Sequence, residues 1–162
     1  MRRTSFLVAL LVLACSPDLD WRELKSADGG FEAVLPAKLR YEVRTLGAPA
    51  VTMHLWSARA ANSVFGVGYA DYPAVDAALL DGTRDALVKN IGGRVLEEKP
   101  LLHKGLPGRE FVAESGATRL RARLLVSGKR LYQLAVLGER DAVAAADVEL
   151  FLSSFRPLGG DP

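Results

Sequence analysis

Alternation of apolar and polar residues dominates this sequence and predicts a chain built mainly of β-strands. Over 39–45, Leu39, Tyr41 and Val43 alternate with charged residues, which is the period of a strand with one buried face. Similar runs, bounded by turn residues, predict further strands over 21–25, 31–35, 51–59, 63–72, 94–100, 101–104, 109–114, 118–126 and 131–137. The segments between them contain Gly-Gly, Gly-Pro and Ser-Gly combinations that are typical of tight turns, including one at 105–108.

Two segments have helical spacing instead. Between Ala77 and Ile91 the apolar residues fall on one helical face, with Asp76 as a candidate N-cap and Gly92-Gly93 at the end. The second segment runs from about Asp141, a candidate N-cap, to Phe155. Its apolar stripe consists of Ala144, Val148, Phe151, Leu152 and Phe155.

This order of elements predicts an α+β fold, an antiparallel β-sheet with two main helices packed against it. A parallel Rossmann-type sheet would need helices between most strands, and the sequence lacks them. We expect a single domain over 21–158, followed by a tail at 159–162. The hydrophobic fraction of 49% and the scattered charges are typical of a globular domain.

The N-terminus has the three parts of a secretory signal. Arg2 and Arg3 are followed by an unbroken apolar run over 6–13 and by the small residue Ala14. The run is far shorter than the ~20 residues of a membrane-spanning helix. We therefore expect 1–14 to be a cleaved signal peptide and the protein to be exported.

The residues Val12, Ala14 and Cys15 resemble the lipobox of bacterial lipoproteins, although Leu13 occupies a slot that is more often small or polar. The resemblance implies lipidation of Cys15, a short tether over 15–20, and anchoring to the membrane facing the periplasm. Ser16 after the cysteine, rather than aspartate, favours the outer membrane. The alternative is an ordinary cut after Ala14, which would leave a secreted soluble protein with a free thiol.

Charge and motifs exclude several kinds of function. Without Arg2 and Arg3 the chain has 19 basic and 19 acidic residues, so we expect no nucleic-acid partner. The sequence contains no H-E-x-x-H, G-x-S-x-G or P-loop motif, and neither histidine has a ligand-type neighbour at metal-binding spacing. We therefore expect no metal, no cofactor and no catalytic residue set, and hence a protein that is not an enzyme.

The remaining polar and glycine motifs have structural interpretations. His54 is expected on the sheet surface or packed, and His103 is expected in a solvated turn. Gly66-Val67-Gly68 is interpreted as a place of close packing, such as a helix crossing the sheet. Asp71-Tyr72-Pro73 is interpreted as a corner of the chain, with a small-molecule pocket as the alternative.

A row of arginines is the most distinctive polar feature. Arg119, Arg121 and Arg123 alternate along one predicted strand and therefore share one face. They could contact an anionic ligand or partner. They could instead form a solvated face neutralised by acidic residues on neighbouring strands. If a helix covers the row, Asp81 or Asp85 could supply the partner charges.

The turn and core motifs resemble one group of bacterial envelope proteins. They are Trp21, Ser26-x-x-Gly29-Gly30-Phe31, Val34-x-Pro36, Asp71-Tyr72-Pro73, Gly105-x-Pro107-Gly108-Arg109-Glu110, Arg130-x-Tyr132-Gln133 and Phe151-x-x-Ser154-Phe155. Together they are similar to uncharacterised envelope lipoproteins of the PsbP-like/DcrB-like α/β/α sandwich group. The resemblance implies a fold whose members mostly bind or assist other proteins, and it brings no catalytic residues.

Three hypotheses of function follow. The first is a non-enzymatic lipoprotein of the cell envelope, which acts as a binding or assembly module with a protein or polymer partner. The second is a periplasmic carrier or sensor of a small ligand, with a pocket between sheet and helix. The third is a hydrolase, which would require a nucleophile and an orienting acid within hydrogen-bond reach of His54 or His103. The sequence favours the first hypothesis.

Overall fold

The computed structural model describes residues 19–36, 38–47 and 50–159. The described strands and helices are β1 (Trp21–Ser26), β2 (Phe31–Pro36), β3 (Arg40–Leu46), β4 (Val51–Ala60), β5 (Ser63–Asp71), α1 (Ala77–Asn90), β6 (Arg94–His103), β7 (Leu106–Ser115), β8 (Thr118–Ser127), β9 (Arg130–Glu139), α2 (Ala145–Ser154) and β10 (Arg156–Pro157). Neither α1 nor α2 is long and apolar enough to cross a membrane.

The strands form two antiparallel sheets. The large sheet has the order β3-β4-β5-β9-β8-β7-β6, and the small sheet has the order β1-β2-β10. The chain runs through β3, β4 and β5, crosses in α1 to the far edge, and returns through β6 to β9, so that β9 pairs with β5 in the middle. The predicted antiparallel α+β fold with two helices is thereby confirmed, with its strands divided between two sheets instead of the single sheet expected.

One face of the large sheet, called here the α2 face, is covered by α2 and the small sheet. Its core combines aromatic and aliphatic residues, which meet because alternate residues of β2, β5 and β9 point into the same layer. Phe31 stacks on Phe155 with ring centroids 5.4 Å apart, and Phe65 meets Phe151 edge to face at 5.5 Å. These four rings are completely buried and tie α2 and the small sheet to β5.

The opposite face, called here the α1 face, is covered by α1 on one side only. Phe111, Leu120, Ala122 and Leu124 of β7 and β8 pack against the bulky residues of α1, among them Val88. Ion pairs hold the helix there, since Arg109 of β7 bonds to Asp81 at 2.6 Å and Arg84 bonds to Glu98 of β6 at 2.7 Å. Asp76 caps the helix as predicted, its carboxylate accepting from the Leu79 N–H.

Two boundaries around Pro100 differ from the sequence prediction. β6 continues through Pro100, because β6 is an edge strand in which a residue without an N–H is tolerated. The turn predicted at 105–108 is confined to Lys104 and Gly105, which both have positive φ, the geometry of a two-residue hairpin turn. Gly108 lies within β7.

The predicted start of the second helix was wrong. Asp141 has a φ of +64° and lies in a turn after β9, so it does not cap a helix. α2 begins at Ala145 and has no side-chain cap at its N-terminus. The C-terminal part of the predicted apolar stripe is confirmed, since Phe151, Leu152 and Phe155 are completely buried.

An ion network fastens α2 to the large sheet from its polar side. Arg123 of β8 bonds to the buried Glu110 of β7 and to Glu149 of α2, the latter at 2.8 Å. Arg121 bonds to the same Glu149 at 3.0 Å. Burial raises the pKa of Glu110, but the hydrogen bond and charge of Arg123 outweigh it, so the pKa is lowered overall.

We expect Glu110→Gln to destabilise the fold at neutral pH by about 3 kcal/mol, because it leaves the buried Arg123 with one carboxylate instead of two. A carboxylate whose pKa is lowered in the folded state contributes its full stabilisation above the unfolded pKa, about 4.3, and loses it as the pH falls through the folded pKa. The difference between wild type and variant should therefore shrink in acid. Urea unfolding at several pH values measures it.

The exposed, ion-paired carboxylate Asp20 provides the control. Asp20→Asn should change the free energy of unfolding by less than about 1 kcal/mol, since surface ion pairs contribute little. A Glu110→Gln penalty no larger than that of Asp20→Asn would contradict the importance of the buried network.

Candidate functional site

A wide groove lies on the α1 face, between α1 and the half of the large sheet that the helix leaves uncovered. Its volume is about 1300 Å³. This is somewhat larger than the ~300–1,000 Å³ of typical small-molecule sites. We call it the α1 groove. The groove lies between sheet and helix, where the ligand-carrier hypothesis expects a pocket.

The floor of the α1 groove is an apolar strip in the middle of the sheet. It is formed by Leu55 of β4, Val64 and Gly66 of β5, and Ala135 and Leu137 of β9. All five are only half-buried, although β5 and β9 are buried on the other face, for example at Phe65, Val67 and Leu134. Half-exposed apolar residues on central strands are unusual, because these strands normally lie under the best-covered part of a sheet.

The wall of the groove is α1. Its lining residues are Leu79, Thr83, Leu87, Asn90 and Ile91, together with the exposed small residues Ala78, Gly82 and Ala86, which follow each other at four-residue spacing. Gly82 has no neighbouring atom within 4 Å of the position that a Cβ would occupy, so a side chain there would extend from the helix into open space. Glycine within a helix costs about 1 kcal/mol relative to alanine.

The outer rim of the groove is predominantly cationic. Lys38 and the β3 residues Arg40 and Arg44 stand along it, together with Arg59 of β4 and one carboxylate, Glu42. Arg44 is paired with Glu42. Within the described ranges, no ion-pair partner is found for the other three cations, which are exposed.

Close packing, the interpretation of Gly66-Val67-Gly68, is found at Gly68, but the neighbour there is a strand and not a helix. A Cβ at Gly68 would lie 2.5 Å from the His54 carbonyl oxygen, so the close neighbour is the adjacent strand β4. Gly66 has nothing nearer than 3.6 Å to its Cβ position and faces the groove. Gly68 therefore allows close packing of β5 against β4, whereas Gly66 borders the open groove.

A column of stacked side chains crosses the α2 face near the end of β5. Tyr41, His54 and Tyr69 lie on neighbouring strands with nearly parallel rings, His54 and Tyr69 being 4.8 Å apart. The Arg130 guanidinium continues the column 4.5 Å from the Tyr69 ring centre. His54 Nδ1 is 2.6 Å from the Tyr41 hydroxyl. The ring faces in this column contact one another, which leaves mainly ring edges for a ligand.

Arg130 also closes the corner at Asp71-Tyr72-Pro73. It donates two hydrogen bonds of 2.7 Å to Asp71, and these lower the pKa of that carboxyl. A shallow depression of about 730 Å³ lies beside this pair, lined by Asp28, His54 and Thr52 among others. The corner interpretation agrees with this geometry, and the depression is open and mostly polar.

His103 is placed differently from the sequence expectation. It is buried rather than solvated, because α2 and the following residues pack over the end of β6. Its Nε2 is 2.9 Å from the Phe155 carbonyl oxygen, and burial lowers its pKa. In the described part of the chain, neither histidine is hydrogen-bonded to a carboxylate or to a serine or threonine hydroxyl. No group of three or more potential metal ligands was found among those residues either.

The arginine row lies on the α2 face and each member is ion-paired. Arg119 is bonded to Glu114 of β7, while Arg121 and Arg123 reach Glu110 and Glu149. The helix on this face is α2, so the helix carboxylate that pairs with Arg121 and Arg123 is Glu149 and not Asp81 or Asp85 of α1. Asp81 is bonded to Arg109 instead. Cys15, the other predicted site residue, lies outside the described residues.

Comparison with solved structures relates the fold to a known protein. The solution structure of cyanobacterial PsbP (CyanoP) from Synechocystis aligns with a TM-score of 0.60, covering 86% of this chain and 94% of that one at 12% identity. A structure from Bacteroides thetaiotaomicron aligns with a TM-score of 0.44 at 10% identity, and this chain covers only half of it. No family model and no curated protein sequence matches the chain.

At 12% identity the likeness to CyanoP concerns the fold. Nearly the whole of that protein is covered, so the arrangement of two helices and antiparallel sheets is shared as a unit. The chain therefore has a PsbP-like α+β fold, as the turn and core motifs of the sequence predicted.

Proposed function

We propose that this chain is an exported, lipid-anchored and non-enzymatic binding protein of the cell envelope, and that its binding site is the α1 groove. Two binding roles follow from the sequence, an assembly module and a ligand carrier. The observation that favours the carrier is the half-exposed apolar strip on β5 and β9. A strip of this kind in the middle of a sheet is a natural site for an apolar ligand.

The charge of the rim narrows the ligand to an anionic amphiphile. Lys38, Arg40 and Arg59 leave an excess of positive charge at one side of an apolar floor. A fatty acid, or another lipid with one alkyl chain and an acidic head, would bury its chain along β5 and β9 and place its head among these cations. Burial of each CH₂ group contributes roughly 0.8 kcal/mol, so the chain would provide most of the affinity.

The expected membrane anchor suits this role. Lipidation of Cys15 would leave only 16–20 between the anchor and β1, so the domain would stay beside the bilayer surface that supplies such lipids. CyanoP is a protein of similar fold. At 12% identity its likeness concerns the fold and not the site, because the same fold can carry unrelated sites.

Filling the groove should abolish binding without weakening the fold. We expect Gly82→Leu to lower the affinity for laurate about tenfold or more, because the new side chain occupies the space beside the floor. Leucine is also the better helix former, so the variant should be at least as stable as wild type. Isothermal titration of the full-length chain carrying Cys15→Ser, with laurate below its micellar concentration, measures this affinity.

Gly82→Ala is the matched control for helix propensity. It should gain stability and keep binding, since one methyl group occupies little of the groove. Absence of laurate binding in the folded Cys15→Ser protein, or equal affinity in Gly82→Leu, would overturn the carrier role.

Neutralising the rim should remove the preference for an anionic head. In wild type, laurate should bind about tenfold more tightly than dodecyltrimethylammonium, which has a chain of similar length and the opposite charge. Arg40→Gln with Arg59→Gln should reduce that ratio towards one. Arg22→Gln with Arg156→Gln is the charge-matched control, because both exposed arginines belong to the small sheet on the opposite face. Equal binding of the two probes by wild type would contradict the anionic ligand.

Replacing Cys15 should release the protein from the membrane. Wild type should incorporate labelled palmitate and partition into the detergent phase, whereas Cys15→Ser should do neither, since the chain has one cysteine. Ser16→Ala serves as a control that keeps the cysteine. Soluble wild-type protein whose Cys15 reacts with a maleimide would contradict lipidation and support the secreted form.

A further inference from the structure

The two edges of the large sheet are protected to very different degrees. The β6 edge carries a β-bulge between Val95 and Glu97 and has Pro100 in its interior. Bulges and prolines are features by which proteins stop an edge strand from pairing with another chain. The β3 edge has neither feature, and all seven of its residues pair with β4 in one continuous register.

The β3 edge also presents apolar side chains to solvent. Six of its seven residues are exposed, including Tyr41 at 52% and Val43 at 55%. Both lie on the α2 face of the sheet, next to each other on the outermost strand. An exposed strand of regular geometry with exposed apolar residues is a surface suited to strand addition.

The sequence of β3 is complementary to itself in one antiparallel register. When two copies pair about a twofold axis through Val43, all seven residues find a partner. Glu42 then lies opposite Arg44 of the second copy, and Arg44 lies opposite Glu42 of that copy, while Tyr41 faces Thr45. Opposite charges at directly facing positions stabilise a pair of strands, so both ion pairs favour this register.

Neighbouring registers lack this complementarity. An axis through Glu42 would place Glu42 opposite itself and Arg40 opposite Arg44, and an axis through Arg44 would place that arginine opposite itself. Like charges at facing positions destabilise a strand pair. Charged residues on an edge strand normally deter pairing with another strand. In β3 the alternation of Arg40, Glu42 and Arg44 instead favours one register between two copies.

We propose that two copies of this chain pair through their β3 strands, antiparallel and centred on Val43. The two large sheets join into one sheet across the dimer axis. The Arg44–Glu42 ion pair within each copy, two pairs in all, is exchanged for two pairs between the copies. The interchain ion pairs use only Glu42 and Arg44. The rim cations Lys38, Arg40 and Arg59 form no ion pair in this dimer, so dimerisation does not depend on a ligand in the α1 groove.

Charge exchange tests both the dimer and its register. Full-length protein carrying Cys15→Ser should sediment as a concentration-dependent dimer in analytical ultracentrifugation. Glu42→Arg and Arg44→Glu should each weaken dimerisation about tenfold or more, because each turns both interchain pairs into repulsions. The double variant Glu42→Arg with Arg44→Glu should restore it. A monomer at every concentration, or failure of the double variant to restore the dimer, would overturn the proposal.

Disulfide trapping provides a second measurement that does not rely on charge. Val43→Cys in the same background should form a disulfide-linked dimer on oxidation, since the two copies of this residue face each other at the axis. Leu102→Cys on the β6 edge is the control, being 74% exposed but on the protected edge. Equal crosslinking at the two positions would overturn the β3 interface.

Discussion

A single helix cannot cover a sheet of seven strands. Neighbouring strands lie about 4.8 Å apart, so seven of them span roughly 29 Å. A helix with its side chains is only about 10–12 Å wide. On the α2 face, α2 shares the covering with the small sheet. On the other face α1 stands alone over β7 and β8. The apolar strip of the α1 groove follows from this difference in width.

The position of α1 on that face is fixed by two kinds of contact. Its bulky residues, such as Val88, pack on Phe111 and Leu120, and its polar residues bond to β6 and β7 through Arg109–Asp81 and Arg84–Glu98. Shifting the helix towards β5 would break both sets of contacts. Ala78, Gly82 and Ala86 lie on the exposed side of the helix and are too small to reach the floor. The groove therefore remains open although both of its sides are apolar.

The sequence anticipated the parts of the fold that depend on local periodicity. Alternating residues located the strands, and helical spacing located α1 and the buried stripe of α2, since a single side-chain period determines which face is apolar. It failed where tertiary packing decides: Asp141 lies in a turn and His103 is buried beneath Phe155. The four-residue spacing of Ala78, Gly82 and Ala86 was visible in the sequence, but small residues do not indicate whether they meet a neighbour or a cavity.

The sequence by itself determined that the chain forms antiparallel strands with two helices, and that Arg119, Arg121 and Arg123 share one face, because these properties arise from residues near each other along the chain. Only the tertiary structure decided what each face meets. It brought Glu149 to the arginines from α2, left β5 and β9 uncovered beside α1, and placed β3 at an unprotected edge. Strand order and helix placement depend on contacts between distant segments, and no local pattern specifies them.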